Sequence, residues 1–182
     1  DPDADRCAAA INDSALGWRM LRGDEVGAIL GHYIATTMKE SCIGKSFANS
    51  IVSSSILGKI ARYHGIEFHE TLTGFKWLAK IPNLRFGYEE ALGYAVDASS
   101  VNDKDGISAA LLLAQCAAEL KQNGHTMAGY LSQIWKMYGY HGTQQISIRV
   151  NKISEVDTLL TKLRTNPPQT IAGMKLTRFV DL

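Results

Sequence analysis

Residues 50–88 read SIVSSSILGKIARYHGIEFHETLTGFKWLAKIPNLRFGY, and the hydrophobic pattern changes several times along this stretch. β-Branched and aromatic residues favour strands, whereas apolar residues three or four positions apart indicate helices. The predicted elements, in chain order, are a strand at 50–55, a helix at 56–63, a strand at 66–71, a short helix at 74–79 and a strand at 84–88. This alternation predicts an α/β fold with helices packed on a sheet.

The flanking sequence adds helices and a smaller C-terminal segment. Asp24 is expected to cap the first helix, and apolar residues cover most of the surface of the helix at 105–122, which predicts its burial. The flanking elements are predicted as a hairpin at 7–21, helices from Asp24 through Lys39, at 105–122 and at 127–138, and, after Gly139, an alternating stretch at 146–150, a helix at 154–164 and a strand at 171–180.

Composition limits the classes of protein to which the chain can belong. Of its 182 residues 46% are hydrophobic and 20% are charged, which is typical of a globular protein and not of a disordered one. Its 19 Lys and Arg nearly balance 18 Asp and Glu, and no basic run occurs, so we expect no nucleic-acid and no membrane partner. Three cysteines without a Cys-x-x-Cys pair argue against a disulfide framework and favour a cytoplasmic location.

The chain begins with a charged cluster, Asp1-Pro2-Asp3-Ala4-Asp5-Arg6, and not with Met, which predicts a fragment of a longer protein. In an extended segment Asp1, Asp3 and Asp5 would lie about 7 Å apart, so only a curled loop brings them onto one ion. Oxygen ligands favour Mg²⁺, Mn²⁺ or Ca²⁺, and Arg6 would hold an anion beside the metal. The alternative is a solvated acidic terminus.

Other charged residues follow predicted strands or precede helices. Glu89 and Glu90 come directly after a strand, so at least one is expected to accept hydrogen bonds from a ligand such as a sugar. The alternative is one solvated and one ion-paired glutamate. Lys104 lies between Asp103 and Asp105, which would keep it charged for phosphate stabilisation or proton transfer. The alternative is a helix cap at either aspartate with a solvated lysine.

Residues 73–77, Thr-Gly-Phe-Lys-Trp, place a small turn beside two aromatic residues. Without further information the turn predicts a helix start, with Phe75 or Trp77 in the core. The five histidines have no spacing typical of metal ligands, and a structural role is expected for each.

Taken in order, four segments resemble motifs of the α-D-phosphohexomutase superfamily, which includes phosphoglucomutase and phosphomannomutase. The segments are 1–6, similar to the metal loop, 73–76, similar to the sugar-site turn, 87–93, similar to the sugar-specificity loop, and 103–106, similar to the Lys-Asp-Gly helix start. The resemblance implies an α/β fold with a mixed sheet flanked by helices, like the third domain of phosphoglucomutase, and a partial C-terminal α+β piece.

The same resemblance divides the chain and assigns roles. It implies that residues 1–20 end a metal-binding second domain, 21–140 form the sugar-binding third domain, and 141–182 are a linker and the start of a fourth domain. The implied roles are one Mg²⁺ held by Asp1, Asp3 and Asp5, catalytic groups at Arg6 and Lys104, and substrate binding by Thr73, Gly74, Phe75, Glu89, Glu90 and Ala91.

The activity implied is exchange of phosphate between positions 1 and 6 of glucose or mannose. It would run through a phosphoserine and a bisphosphorylated intermediate, with an activator of the glucose 1,6-bisphosphate type. The partners implied are sugar phosphates and the missing domains of the same chain. Because the serine loop of the first domain is absent from the sequence, the fragment alone is expected to be inactive.

Two positions depart from the family pattern. Ala91 stands where many members have serine, which removes a hydroxyl contact to the sugar and leaves a pentose phosphate open as substrate. Ala4 stands where glycine is common. A non-catalytic α/β module that binds sugar phosphates or a partner is an alternative, and so is a haloacid-dehalogenase-type phosphatase, which would normally have Thr or Val in place of Asp5.

Overall fold

The computed structural model describes residues 2–13 and 17–181, which fall into two compact units. The first unit extends to Thr143 and the second begins at Gln144. In chain order, the elements are β1 (Ala10–Asp13), β2 (Gly17–Met20), α1 (Gly23–Thr37), a 3-10 helix (Lys39–Cys42), β3 (Ser46–Ser50), α2 (Ile56–Tyr63), β4 (Glu67–Thr71), α3 (Phe75–Leu78), β5 (Leu84–Glu89), β6 (Gly93–Ala95), α4 (Gly106–Gln122), α5 (Met127–Tyr138), α6 (Ile153–Thr165), β7 (Thr170–Ile171) and β8 (Met174–Lys175).

The first unit is built on a four-stranded sheet with the order β4-β3-β5-β6. Strand β3 runs parallel to both β4 and β5, whereas β6 is antiparallel to β5. The predicted mixed sheet flanked by helices is therefore confirmed. Because β3 and β5 are parallel, their carboxyl ends, Ser50 and Glu89, lie at the same edge of the sheet.

The core lies on both faces of this sheet. On one face α1 is buried along most of its length, and Val26, Ile29, Leu30 and Ile34 are fully enclosed with Phe47. On the other face a smaller cluster joins α3 to the sheet; its members are Ala48, Phe75, Leu78, Leu84 and Ala95. Consecutive residues of a strand point to opposite faces, so burial of both Phe47 and Ala48 marks β3 as a central strand.

Several predicted elements occur where expected. The hairpin at 7–21 is present as β1 and β2, and the helices predicted at 56–63 and 127–138 match α2 and α5. Asp105 caps α4, since its carboxylate accepts hydrogen bonds from Ile107 N–H and Ser108 N–H. Asp24 does not cap α1: it lies inside the first turn, and the N-cap is Arg22, whose N–H donates to the Glu25 carboxylate at 2.8 Å.

The position of the strand predicted at 50–55 was wrong. The strand is β3, which ends at Ser50, and residues 51–53 form a turn. The sequence of β3, Ser-Phe-Ala-Asn-Ser, has no β-branched residue, and the strand pairs on both sides with part of its polar side-chain atoms bonded. Asn49 Nδ2, for example, donates to the Ser54 carbonyl at 2.8 Å. Strand β6 was not predicted, since three residues carry almost no pattern.

Three further expectations were also wrong. Helix α4 is buried on one face only, and Ile107 and Leu111 on the other face are 70% and 71% exposed. Its apolar residues nearly encircle the helix, so periodicity could not show which side meets the core. The strand predicted at 171–180 is reduced to β8 and part of β7, and the alternating stretch at 146–150 forms no strand.

The second unit has a simple structure. It contains α6 and the two-residue strands β7 and β8, paired antiparallel. The Arg164 guanidinium forms an ion pair with Asp181 at 2.6 Å. Among the described residues of the whole chain, no helix is both long enough and apolar enough to cross a membrane.

Candidate functional site

The site begins at the end of β5, where Glu89 is held by a turn from another part of the chain. Glu89 Oε1 accepts a hydrogen bond from Gly74 N–H at 2.5 Å, and the side chain is 9% exposed. Gly74 has φ 112°, a backbone conformation that side chains other than glycine rarely adopt. The turn predicted at 73–76 and the glutamate thus meet directly, 15 residues apart.

Lys104 reaches the same place from the loop before α4. Its Nζ lies 2.6 Å from Asp5 Oδ2, and its aliphatic chain lies over Gly93, where an added Cβ would come within 2.9 Å of Lys104 Cδ. Gly93 is the register partner of Glu89 in the β5–β6 ladder. Lys104 therefore lies across that ladder from Glu89, with Asp5 at its end.

The charge state of Lys104 follows from these neighbours. The hydrogen bond to Asp5 raises the pKa of Lys104, and the negative charges of Asp103 and Glu89 raise it further. In turn Lys104 lowers the pKa of Asp5, and the charge of Arg6 adds to this effect. Lys104 is consequently a protonated cation at neutral pH, suited to stabilising negative charge.

Backbone contacts hold the N-terminal segment in this position. Gly106 N–H donates to the Ala4 carbonyl at 3.0 Å, and Cys7 N–H donates to the Leu92 carbonyl at 3.1 Å. A Cβ on Gly106 would lie 2.3 Å from the Arg6 carbonyl oxygen, so only glycine permits the approach. The glycine of the Lys-Asp-Gly segment thus brings Asp5 and Arg6 to Lys104.

Glu90 has different surroundings from Glu89. Its Oε2 accepts hydrogen bonds from Ser50 Oγ at 3.0 Å and Ser53 Oγ at 3.1 Å, and its N–H donates to Ser53 Oγ. Its carbonyl lies against Gly23 at the start of α1, where a Cβ would come within 1.9 Å. Glu90 anchors the loop that links β5 to β6, residues 89–93, hereafter the glutamate loop.

The remaining predicted substrate residues differ in exposure. Thr73, in the turn, and Ala91, in the glutamate loop, are exposed. The Phe75 ring is 6% exposed and packs in the smaller core cluster. Ser50 and Ser53 were not singled out from the sequence, because they lie some 40 residues before the glutamate that they bind and belong to no motif.

The predicted metal loop is described from residue 2 onward, so Asp1 lies outside the described residues. Ala4 has φ 54°, a left-handed turn that curls the loop and explains why glycine suits this position. Asp3 is exposed, and Asp5 Oδ1 is buried with no hydrogen-bond partner among the described residues, 3.5 Å from Arg6 Nε. The chemistry of this oxygen fits a Mg²⁺ ligand, and among the described residues no three acidic, histidine or cysteine side chains are grouped to hold a metal ion.

A separate cleft lies at the opposite edge of the sheet, with a volume of about 480 Å³. Arg85, at the start of β5, lines it together with Met38, Asp97 and Leu111. The Arg85 guanidinium donates to the Val96 carbonyl and to Ser41 Oγ. Because its donors are engaged within the protein and no predicted residue faces this cleft, the candidate site remains the one around Glu89.

Comparisons with known proteins agree on one family. Residues 22–138 match the model of phosphoglucomutase/phosphomannomutase, alpha/beta/alpha domain III. Over its whole length the chain is 46% identical to a probable phosphomannomutase of Haemophilus influenzae, 34% to human phosphopentomutase and 32% to a phosphoglucomutase of Staphylococcus aureus. It spans 37%, 33% and 34% of these three proteins, or about one third of their length.

Solved structures share the fold at low sequence identity. A putative phosphomannomutase from Thermus thermophilus aligns with 76% of the chain and 30% of its own length, at a TM-score of 0.60 and 20% identity. Parafusin, a phosphoglucomutase from Paramecium, aligns with 66% of the chain and 22% of its own length, at a TM-score of 0.58 and 24% identity. The chain belongs to the phosphoglucomutase/phosphomannomutase family, within the α-D-phosphohexomutase superfamily.

Proposed function

We propose that this chain is the sugar-binding part of a phosphohexomutase, a longer protein that interconverts the 1-phosphate and 6-phosphate of glucose or mannose. The observation that carries the proposal is the convergence of Glu89, Gly74, Lys104 and Asp5 on one edge of the sheet. These residues come from four separate segments, and the fold brings them together although none is needed for the apolar core.

Glu89 is proposed to bind the sugar hydroxyls. Gly74 N–H occupies Oε1, which fixes the direction of the carboxylate, and Oε2 remains to accept hydrogen bonds. A fixed carboxylate in a buried position accepts a pair of neighbouring hydroxyls with good geometry and little loss of side-chain entropy. Thr73 and Ala91 are proposed to shape the rim around it, with Phe75 supporting the turn from the core and Glu90 holding the loop.

Lys104 and Arg6 are proposed as the catalytic groups of this chain. Both are cations beside Asp5, and phosphoryl transfer is accelerated mainly by positioning and by stabilisation of charge on the phosphoryl oxygens. As a cation, Lys104 would stabilise negative charge at the attacking hydroxyl. Arg6 would lie beside the transferred phosphoryl group.

Mg²⁺ would be held by Asp1, Asp3 and Asp5, and when bound it supplies positive charge next to the phosphoryl group. The phosphoserine, the bisphosphorylated intermediate and an activator of the glucose 1,6-bisphosphate type belong to the proposal for the whole protein. So do the neighbouring domains, with residues 1–20 and 141–182 as parts of the second and fourth. We propose that the 182-residue chain alone has no mutase activity, since the sequence contains no segment like the serine loop.

The substrate is proposed to be a hexose phosphate, with a pentose phosphate as the second candidate. Relatives named phosphomannomutase, phosphoglucomutase and phosphopentomutase all match the full length of the chain. Ala91 provides no hydroxyl group to the sugar, so the contact that a serine at this position would make cannot help to select between hexose and pentose phosphates.

Assays of the purified full-length protein with the 1-phosphates of glucose, mannose and ribose test the proposal. We expect turnover with Mg²⁺ and a mass increase of one phosphate on a serine outside this chain. The 182-residue chain alone should show no turnover. Binding of these sugar phosphates without turnover by the full-length protein would favour the non-catalytic module instead. Equal mutase activity of the 182-residue chain would show that the site is complete here.

A further inference from the structure

Asp24, in the first turn of α1, has a buried carboxylate with no part in the proposed chemistry. It is 7% exposed. Its Oδ1 accepts hydrogen bonds from Ser54 N–H at 2.7 Å and from Tyr88 Oη at 2.9 Å, and its Oδ2 accepts one from Thr143 Oγ1. Hydrogen bonds to a buried charge are strong, so this carboxylate firmly joins a helix, a turn, a strand and the last residue of the first unit.

Two of these three donors adjoin the glutamate loop. Tyr88 directly precedes Glu89 on β5, and its ring is fully buried. Ser54 directly follows Ser53, which binds Glu90 through both the carboxylate and the N–H. A shift of Tyr88 would therefore reach Glu89 through one peptide link. A shift of Ser54 would reach Glu90 through one peptide link and the hydrogen bonds of Ser53.

The third donor belongs to the segment 139–143, through which the chain leaves the first unit. Hydrogen bonds attach this segment to Ser54, in the turn that follows β3, and to Arg22, at the start of α1. Ser54 Oγ donates to the His141 carbonyl at 2.8 Å, and Arg22 Nη1 donates to the Thr143 carbonyl at 3.3 Å. The exit segment and the glutamate loop thus share the carboxylate of Asp24.

We propose that Asp24 is a positioning residue that couples the exit segment 139–143 to the glutamate loop. When the exit segment 139–143 is displaced, the Asp24 carboxylate follows, and the turn and strand bonded to it carry the displacement to Glu89 and Glu90. Each link in this path is a direct hydrogen bond or a peptide link, so the coupling is local. The kinetic consequence rests on the proposed function, whereas the structural coupling does not.

Thr143→Val removes only the hydroxyl that reaches Asp24 and keeps the β-branched shape. Amide hydrogen exchange of the 182-residue chain then measures the coupling. We expect exchange at Ser54, Glu89 and Glu90 to rise about 3- to 30-fold, the range of typical couplings between linked sites. Asp24→Asn should change exchange less, because its Oδ1 still accepts two bonds and its amide group can donate to Thr143.

The full-length protein gives the second measurement. Thr143→Val should raise KM for the sugar phosphate about fivefold, with a smaller effect on kcat. Thr36→Val is the matched control, because it removes a hydroxyl bonded to the His32 carbonyl elsewhere on α1. Faster exchange confined to 139–143, or an unchanged KM in an active enzyme, would overturn the proposal. If the wild-type protein has no mutase activity, the proposed function fails and hydrogen exchange alone decides the coupling.

Discussion

Glu89 and Glu90 are neighbours in the chain, yet their carboxylates have opposite surroundings. Glu89 accepts one backbone hydrogen bond, from Gly74, and lies across a strand pair from the Lys104 cation. Glu90 accepts two serine hydroxyls and has its own N–H bound as well. No described group donates to the second oxygen of Glu89, whereas Glu90 has its hydrogen bonds within the protein. The proposed function therefore gives ligand binding to Glu89 and loop anchoring to Glu90.

The largest effect is expected for Glu89→Gln in the full-length protein. Glutamine still accepts from Gly74 N–H but removes the negative charge, so kcat/KM should fall about 10³-fold while the melting temperature changes little. Glu90→Gln is the matched variant, with an expected loss of tenfold at most. Equal losses in steady-state assays of the two variants would end the distinction between the glutamates.

The next largest effect is expected for Lys104→Met, which keeps the length of the side chain and removes its charge. Loss of the cation that we propose to stabilise charge at the attacking hydroxyl should lower kcat about 10²-fold. Lys121→Met, at an exposed position near the end of α4, the helix that follows Lys104, is the control. A change in KM alone would assign Lys104 to ground-state binding and not to the chemical step.

Glu90→Ala tests the anchoring role. Loss of its hydrogen bonds to Ser50 and Ser53 should lower the free energy of unfolding of the chain by about 1–3 kcal/mol, measured by urea denaturation. Glu70→Ala, at an exposed position of β4, should change it by less than about 0.5 kcal/mol. A neutral result for Glu90→Ala would mean that its hydrogen bonds do not hold the loop.

The pH dependence of the free energy of unfolding tests the buried surroundings of His32. His32 is buried, accepts or donates a hydrogen bond at Tyr138 Oη and faces His64 and Tyr130. Burial and then the charge of His64 lower the pKa of His32 to about 4. The folded state resists protonation below the ordinary histidine pKa of 6.5, so stability is full above that value and declines as the pH falls toward 4.

From about pH 7 to about pH 5.5 this linkage should remove about 1 kcal/mol of stability. His32→Gln should flatten the profile and His125→Gln, at an exposed position, should not. A profile unaffected by His32→Gln would contradict the lowered pKa. His32→Gln should leave the hydrogen bonds of Glu89 and Glu90 unchanged, since His32 lies two turns further along α1 than Asp24.

Parts of the fold and site were predictable because their signals are local. The alternation of strands and helices over 56–88 and the cap at Asp105 depend on residues close in sequence, and the order of the four motifs identified the family. β3 was misplaced because its strand character comes from pairing with β4 and β5, which no local propensity records.

In the site, too, contacts between residues distant in sequence could not be predicted. Glu89 and Lys104 were singled out from their motifs, but the partners that fix them lie far along the chain. Gly74 precedes Glu89 by 15 residues, and Asp5 precedes Lys104 by 99. Asp24 was interpreted as a helix cap because acidic residues at helix starts usually are, whereas here a tyrosine and a threonine from distant elements bind it.

A crystal structure of the full-length protein with a sugar 1-phosphate bound tests the central claim most directly. We predict that neighbouring sugar hydroxyls lie within hydrogen-bond distance of Glu89, that Gly74 N–H stays on the same carboxylate, and that Glu90 remains on Ser50 and Ser53. A sugar phosphate bound elsewhere, with the Glu89 carboxylate in contact with protein groups alone, would contradict the assignment of this edge of the sheet as the sugar site.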